Sequence, residues 1–120
     1  MSEKYLREKS GIYAAAVAAR TRAARAILGL SQQRLAEEAG ISLPALNLLE
    51  RQESSPRLET VESIEAVFRQ YGIAFASDPG GRHTLTLSAE LIETLARKRA
   101  AGEAVTARGK MPRGGRPASV

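Results

Sequence analysis

The chain has 120 residues, 43% of them apolar and none of them cysteine. That length suits one domain with tails around a modest core, and the missing thiols exclude disulfides and thiolate zinc sites. Formal net charge is +5, yet the cations gather at the ends: six Lys or Arg in residues 1–30 and seven in 97–120, against five basic and ten acidic side chains between. A net negative middle withdraws from the domain surface the simple argument that a basic chain binds nucleic acid.

Residues 1–11 are polar and read as a flexible N-terminal arm. From 12 to 28 the spacing predicts a helix with Ile12, Ala16, Ala19, Ala23 and Ile27 on one stripe, Arg20 and Arg22 turned to solvent, and Gly29 as its stop. The apolar run from Ile12 to Ala19 is too short to cross a bilayer and lacks the arrangement of a signal peptide, so no membrane partner is expected. The absence of cysteine fits a reducing cytoplasm.

Residues 31–51, SQQRLAEEAGISLPALNLLER, read as two short helices joined by a tight turn. Ser31 caps the first helix, on which Leu35, Ala36 and Ala39 share a face, and Gly40 supplies the left-handed residue that ends it. Ile41 plugs the space between the helices, Ser42 caps the second, and Pro44 falls early enough in it for its missing N–H to cost nothing. Ile41, Leu46 and Leu49 then face the domain, while Leu43, Pro44, Asn47, Leu48 and Arg51 face away. A helical pair of this kind also serves as a packing corner with no partner.

The stretch QESSP is a loop, and a closing helix from Arg57 or Leu58 carries Leu58, Val61, Ile64, Phe68 and Tyr71 at helical intervals before Gly72 stops it. Two alternating runs, IAF and HTLTLS, flank the turn formers Asp78, Pro79, Gly80 and Gly81, which predicts a hairpin over 73–88. A lone hairpin is marginal in water, so Ile73, Phe75, Leu85 and Leu87 must pack on the helices or meet a second subunit. Ser88 caps a C-terminal helix over 89–101 with Leu91, Ile92, Leu95 and Ala96 on its apolar face. Residues 102–120, rich in Gly, Pro, Ala and Arg, read as a disordered basic tail.

The spacing of Leu35, Ala36, Gly40, Ile41, Leu46 and Leu49, framed by Gln32 and Glu50, resembles the helix-turn-helix of the phage-repressor-like, or XRE, family of bacterial DNA-binding proteins. The flanks RAARAILGL and SPRLETVESIEAVFRQYGIAF agree, so the resemblance covers roughly Ala19 to Phe75. It implies a mainly α fold: a small helical bundle over 12–72 with its motif at 31–51, carrying an appended short β-hairpin and a C-terminal helix. It also implies a cytoplasmic transcriptional regulator, a repressor, that acts as a homodimer on a two-fold site in double-stranded DNA. Carried over residue by residue, Gln32 matches the position that anchors a phosphate, with Gln33 beside it. Leu43, Pro44, Asn47 and Leu48 match base-edge contacts, and Ser42, Arg51 and Arg57 complete the DNA-facing set. Arg25 and Glu50 match a structural ion pair, which removes Glu50 from consideration as a catalytic carboxylate.

One departure from the family pattern stands out. Leu43, Pro44 and Leu48 can neither donate nor accept a side-chain hydrogen bond. Direct readout then rests on Asn47, which can pair with adenine N6 and N7, and on leucine contacts with thymine methyls, an A·T-leaning preference. The competing reading is an antitoxin-like or adaptor protein that turns the same helix to a protein partner. An enzyme is not expected: the single histidine, His83, sits in a polar hairpin, and the adjacent Glu37 and Glu38 point different ways on a solvated helix face. No catalytic residue, cofactor or metal ligand is assigned. The tail cations Arg108, Lys110, Arg113 and Arg116 are either an inert solubilising end or mobile charges that offset the acidic middle on DNA.

Overall fold

Ser2 opens the first helix, its hydroxyl accepting from the Tyr5 amide at 3.1 Å while Glu3 complements the positive end of the helix dipole. In the computed structural model, which describes residues 2–102, this helix, α1, runs Glu3–Leu28. Residues 3–11, expected as a flexible arm with the helix starting at 12, are therefore its opening turns. Ser10 and Gly11 do not break it, because a glycine inside a helix costs only about 1 kcal/mol relative to alanine. A helix of 26 residues is about 39 Å long at 1.5 Å per residue, and residues 3–13 are all exposed.

The face of α1 that packs is not the stripe its spacing suggests. Val17, Ala18, Thr21, Ala24 and Leu28 are buried, whereas Ile12 is 63% exposed and Ala19 and Ala23 face solvent. Alanine on every side gives the helix little contrast, and the two large side chains that enter the core, Val17 and Leu28, decide its rotation.

Three further helices follow: α2 (Gln32–Ala39), α3 (Leu43–Glu50) and α4 (Leu58–Tyr71). Leu28, Leu35, Leu46, Ile64, Phe68 and Ile73 are the largest fully buried side chains, one or two from each of the four helices and one from the segment after α4, and they form one contiguous core. Burial of each is worth about 1.5–3 kcal/mol. On α4 the expected set holds for Val61, Ile64 and Phe68, while Leu58 is 66% exposed at the helix start and Val67 takes a core place instead.

Strands β1 (Ile73–Ser77) and β2 (His83–Leu87) pair antiparallel with Ile73 opposite Leu87 and Phe75 opposite Leu85. Those four side chains line the inner face and pack against the helical core, and Phe75 meets Phe68 edge-on at 5.8 Å between ring centroids. Helix α5 (Ala89–Ala101) starts at Ser88, whose hydroxyl accepts from Leu91 N–H at 3.1 Å and whose own N–H donates to the Gly72 carbonyl at 2.8 Å. Gly72 has φ +99°, and a Cβ there would stand 2.5 Å from Ser88 Oγ and 3.0 Å from Leu91 Cβ, so both its backbone and the close docking of α5 call for glycine. Leu91 is buried and Leu95 half-buried; Ile92, expected on the same face, is 52% exposed. The architecture is thus mainly helical with a two-stranded hairpin and a C-terminal helix appended. The expected disordered tail lies outside the described residues from 103 onward.

Arg20, read from the sequence as solvated, is a staple between α1, α4 and the hairpin. Its guanidinium pairs with Glu65, stands 4.8 Å above the Phe75 ring, and donates from Nη1 to His83 Nδ1 at 3.2 Å. Burial lowers its pKa from the ordinary arginine value, opposed by Tyr13. Glu38 is likewise not solvated: it accepts from Arg34 Nε at 2.7 Å and from the Tyr71 hydroxyl at 2.9 Å, tying α2 to the end of α4.

Candidate nucleic-acid interface

The turn between α2 and α3 is built by local chemistry. Ser31 Oγ accepts from Arg34 N–H at 3.0 Å to start α2, and Gly40 ends it in the left-handed region at φ 72°. The Ile41 amide then reaches back to the Ala36 carbonyl at 3.0 Å, reversing the chain within two residues. Ser42 Oγ accepts from Ala45 N–H at 3.2 Å and starts α3, with Pro44 in its first turn. Leu46 and Leu49 enter the core and Ile41 is half-buried beneath the turn. The opposite face of α3 is thereby presented outward: Leu43, Pro44, Leu48 and Arg51 are exposed and Asn47 is half-exposed.

The last residue of α3 locks this face in place. Glu50 is 3% exposed, and its carboxylate accepts from Arg25 Nε at 2.7 Å, Arg25 Nη2 at 2.8 Å and Gln32 Nε2 at 2.9 Å. The remaining Arg25 nitrogen, Nη1, donates to the Leu30 carbonyl at 3.0 Å, and Arg22 Nη1 donates to the Glu50 carbonyl at 2.5 Å. Helices α1, α2 and α3 therefore converge on one buried carboxylate whose acceptor sites are filled by a planar two-pronged donor and an amide. Arg22 is exposed, as its sequence position suggests, and its Nη1 also holds a backbone carbonyl, a partner that leaves no signature in the sequence.

Of the side chains expected to face DNA, several are engaged within the chain. Gln32 spends its amide N–H on Glu50, so its side chain adds rigidity where a phosphate contact was expected. Gln33 Nε2 donates to Glu37 at 3.4 Å, Arg51 pairs with Glu53 at 3.1 Å, and Arg57 stands 3.9 Å from Glu59 with 82% of its side chain exposed. Ser42 is occupied as a cap. Asn47 differs: among the described residues its carboxamide has no intrachain partner. The acidic burden of the motif is also smaller than its count of carboxylates implies, since Glu50 is neutralised by Arg25 and Glu38 by Arg34.

Residues 22–74 match the family model described as helix-turn-helix. This segment is a helix-turn-helix domain of the XRE type. At family level the match supports a DNA-binding regulatory domain over this segment. No curated protein matches the chain. Measured against the domain, α1 from Arg22 onward, α2, α3, α4 and the first residues of β1 lie inside it, and α1 before Arg22, the rest of β1, β2 and α5 lie beyond. Among the described residues no helix is long and apolar enough to cross a membrane, and no three His, Asp or Glu side chains gather to hold a metal ion.

Proposed function

We propose that this chain is a sequence-specific repressor of transcription that lays α3 in the major groove of duplex DNA, in the bacterial cytoplasm. The observation that carries the reading is the outward face of α3, exposed among the described residues and held against α1 and α2 by the buried Arg25–Glu50–Gln32 cluster. Rigid presentation matters because base readout demands placement of side chains to within a fraction of an ångström. In this reading Leu43, Pro44, Asn47 and Leu48 meet base edges. The first backbone amides of α2, at Gln32 and Gln33, point at a phosphate with the positive end of the helix dipole behind them. Ser42, Arg51 and Arg57 flank the groove, and the arginines exchange a surface carboxylate partner for a phosphate at little cost, since exposed pairs are worth about 0–1 kcal/mol. The chain acts as a homodimer on a two-fold site, with half-site centres about one helical turn, ~10 bp, or a multiple of that apart.

A second reading is favoured by one specific observation, the exposed Leu43 and Leu48 on α3: the same face docks a protein partner, as in an antitoxin-like adaptor. Selection of duplexes from a random pool separates the two. An enriched palindrome is expected; a flat pool from a protein that remains folded would replace the repressor with the adaptor.

A further inference from the structure

We infer that the thymine C5-methyl group carries most of the base selectivity of α3, so that the half-site is a T·A-rich element read by leucine packing with one hydrogen-bonded adenine. The inference rests on the proposed major-groove reading and goes further, to the chemical group recognised. On the outward face of α3, Leu43 and Leu48 expose 37% and 39% of their surface, flanked by Pro44. None of the three can hydrogen-bond through its side chain. Gln32 is held by Glu50 and Ser42 by the helix cap, while Gln33 and Arg51 sit in exposed pairs with Glu37 and Glu53 that they exchange for phosphates at little cost in the proposed docking. Gln32 in particular is held in a buried cluster, so redirecting it to a base would strip Glu50 of one of its donors. That leaves the Asn47 carboxamide as the side-chain donor and acceptor with no intrachain partner among the described residues of this face.

In the major groove thymine alone among the four bases presents a methyl group; guanine offers O6 and N7 acceptors, and cytosine an amino donor. A leucine laid against guanine or cytosine strips water from a polar edge and returns no hydrogen bond, which is costly. Laid against thymine, it buries apolar surface on apolar surface. Selectivity thus comes from exclusion as well as attraction. Asn47, one helical turn from Leu43 and next to Leu48, is placed to take adenine N6 and N7 in a neighbouring A·T pair, the one base edge that matches its donor and acceptor together.

The test substitutes deoxyuridine for thymine in the duplex selected by the full chain, a change that removes the methyl and leaves base pairing intact. Affinity is expected to fall about fourfold for each contacted methyl, the transfer value of one buried methyl group, and about tenfold or more when two are removed. Uracil placed outside the half-sites is expected to change nothing. Leu48→Ala, checked by its melt to remain folded, is expected to shrink the thymine-to-uracil ratio toward one at its own base pair. Equal affinity for thymine and uracil duplexes, with preference over scrambled duplex intact, overturns this inference and leaves the proposed function standing. A selected site without thymine in its half-sites overturns it in the same way. Failure to select any duplex overturns the proposed function, and this inference with it.

Discussion

Replacing Arg25 by alanine takes away two of the three donors that satisfy Glu50 and leaves a carboxylate that is 3% exposed with Gln32 alone. Removing one partner of a buried ion pair costs about 3–5 kcal/mol, because the remaining charge is stranded in low dielectric. Here the charge-assisted bond from Gln32 persists and is worth about 1.5 kcal/mol or more, so a net loss of about 2–3 kcal/mol is expected. In a domain of 60–100 residues each kcal/mol moves the melting temperature by about 4–8 °C, so Tm should fall by roughly 8–24 °C. Far-ultraviolet circular dichroism against temperature measures it. Adding Glu50→Gln to the Arg25→Ala variant removes the stranded charge and is expected to recover part of the loss. That recovery distinguishes the ion pair from mere loss of arginine packing. A melt of Arg25→Ala superimposable on the parent would show that Glu50 does not depend on Arg25, and the lock between α1 and α3 would have to be abandoned.

Three other perturbations separate reading, scaffolding and long-range charge. Asn47→Ala is expected to erase preference at one or two base pairs, worth ~1–3 kcal/mol of discrimination, with its melt unchanged; selection by the variant of the parent site at undiminished stringency would contradict this. Arg20→Met removes the pairing with Glu65 and the stacking on Phe75, and faster amide hydrogen exchange is expected across Ile73–Ser77 and His83–Leu87. Parental protection there would remove Arg20 as the staple. Deleting residues 103–120, which carry Arg108, Lys110, Arg113 and Arg116, should flatten the slope of log affinity against log salt by about two to four units, at about 0.9 per phosphate neutralised. Superimposable slopes would leave that segment without a role on DNA.

What could be read from the sequence was whatever is decided locally. Ser31, Gly40, Ser42 and Pro44 each act on amides and dihedrals within four residues of themselves, and the motif they punctuate folds with Leu35, Leu46 and Leu49 inside as the spacing requires. The hairpin was legible for the same reason, since four turn formers separate two alternating runs. The face of α1 was not, because Ala16, Ala18, Ala19, Ala23 and Ala24 surround the axis and the buried side includes a polar Thr21. Nor were the pairings of Arg20 with Glu65, Tyr71 with Glu38, and Arg22 with a backbone carbonyl, whose partners lie 45, 33 and 28 residues away. No local pattern distinguishes such an arginine or glutamate from a solvated one. The DNA-facing set is a mixed case: helical spacing separates Leu43, Asn47 and Leu48 from the core side, but only the packed arrangement reveals that Gln32 and Arg51 already have partners.

The claim on which the rest depends is that α3 distinguishes one duplex sequence from another. Fluorescence anisotropy of the full chain titrated onto its selected duplex and onto a scrambled duplex of equal length, at several salt concentrations, measures this directly. Both affinities should fall as salt rises, with the selected site held tighter by about 10³-fold or more throughout, the range of specific over non-specific binding. Equal affinity for the two duplexes at every salt concentration would contradict it.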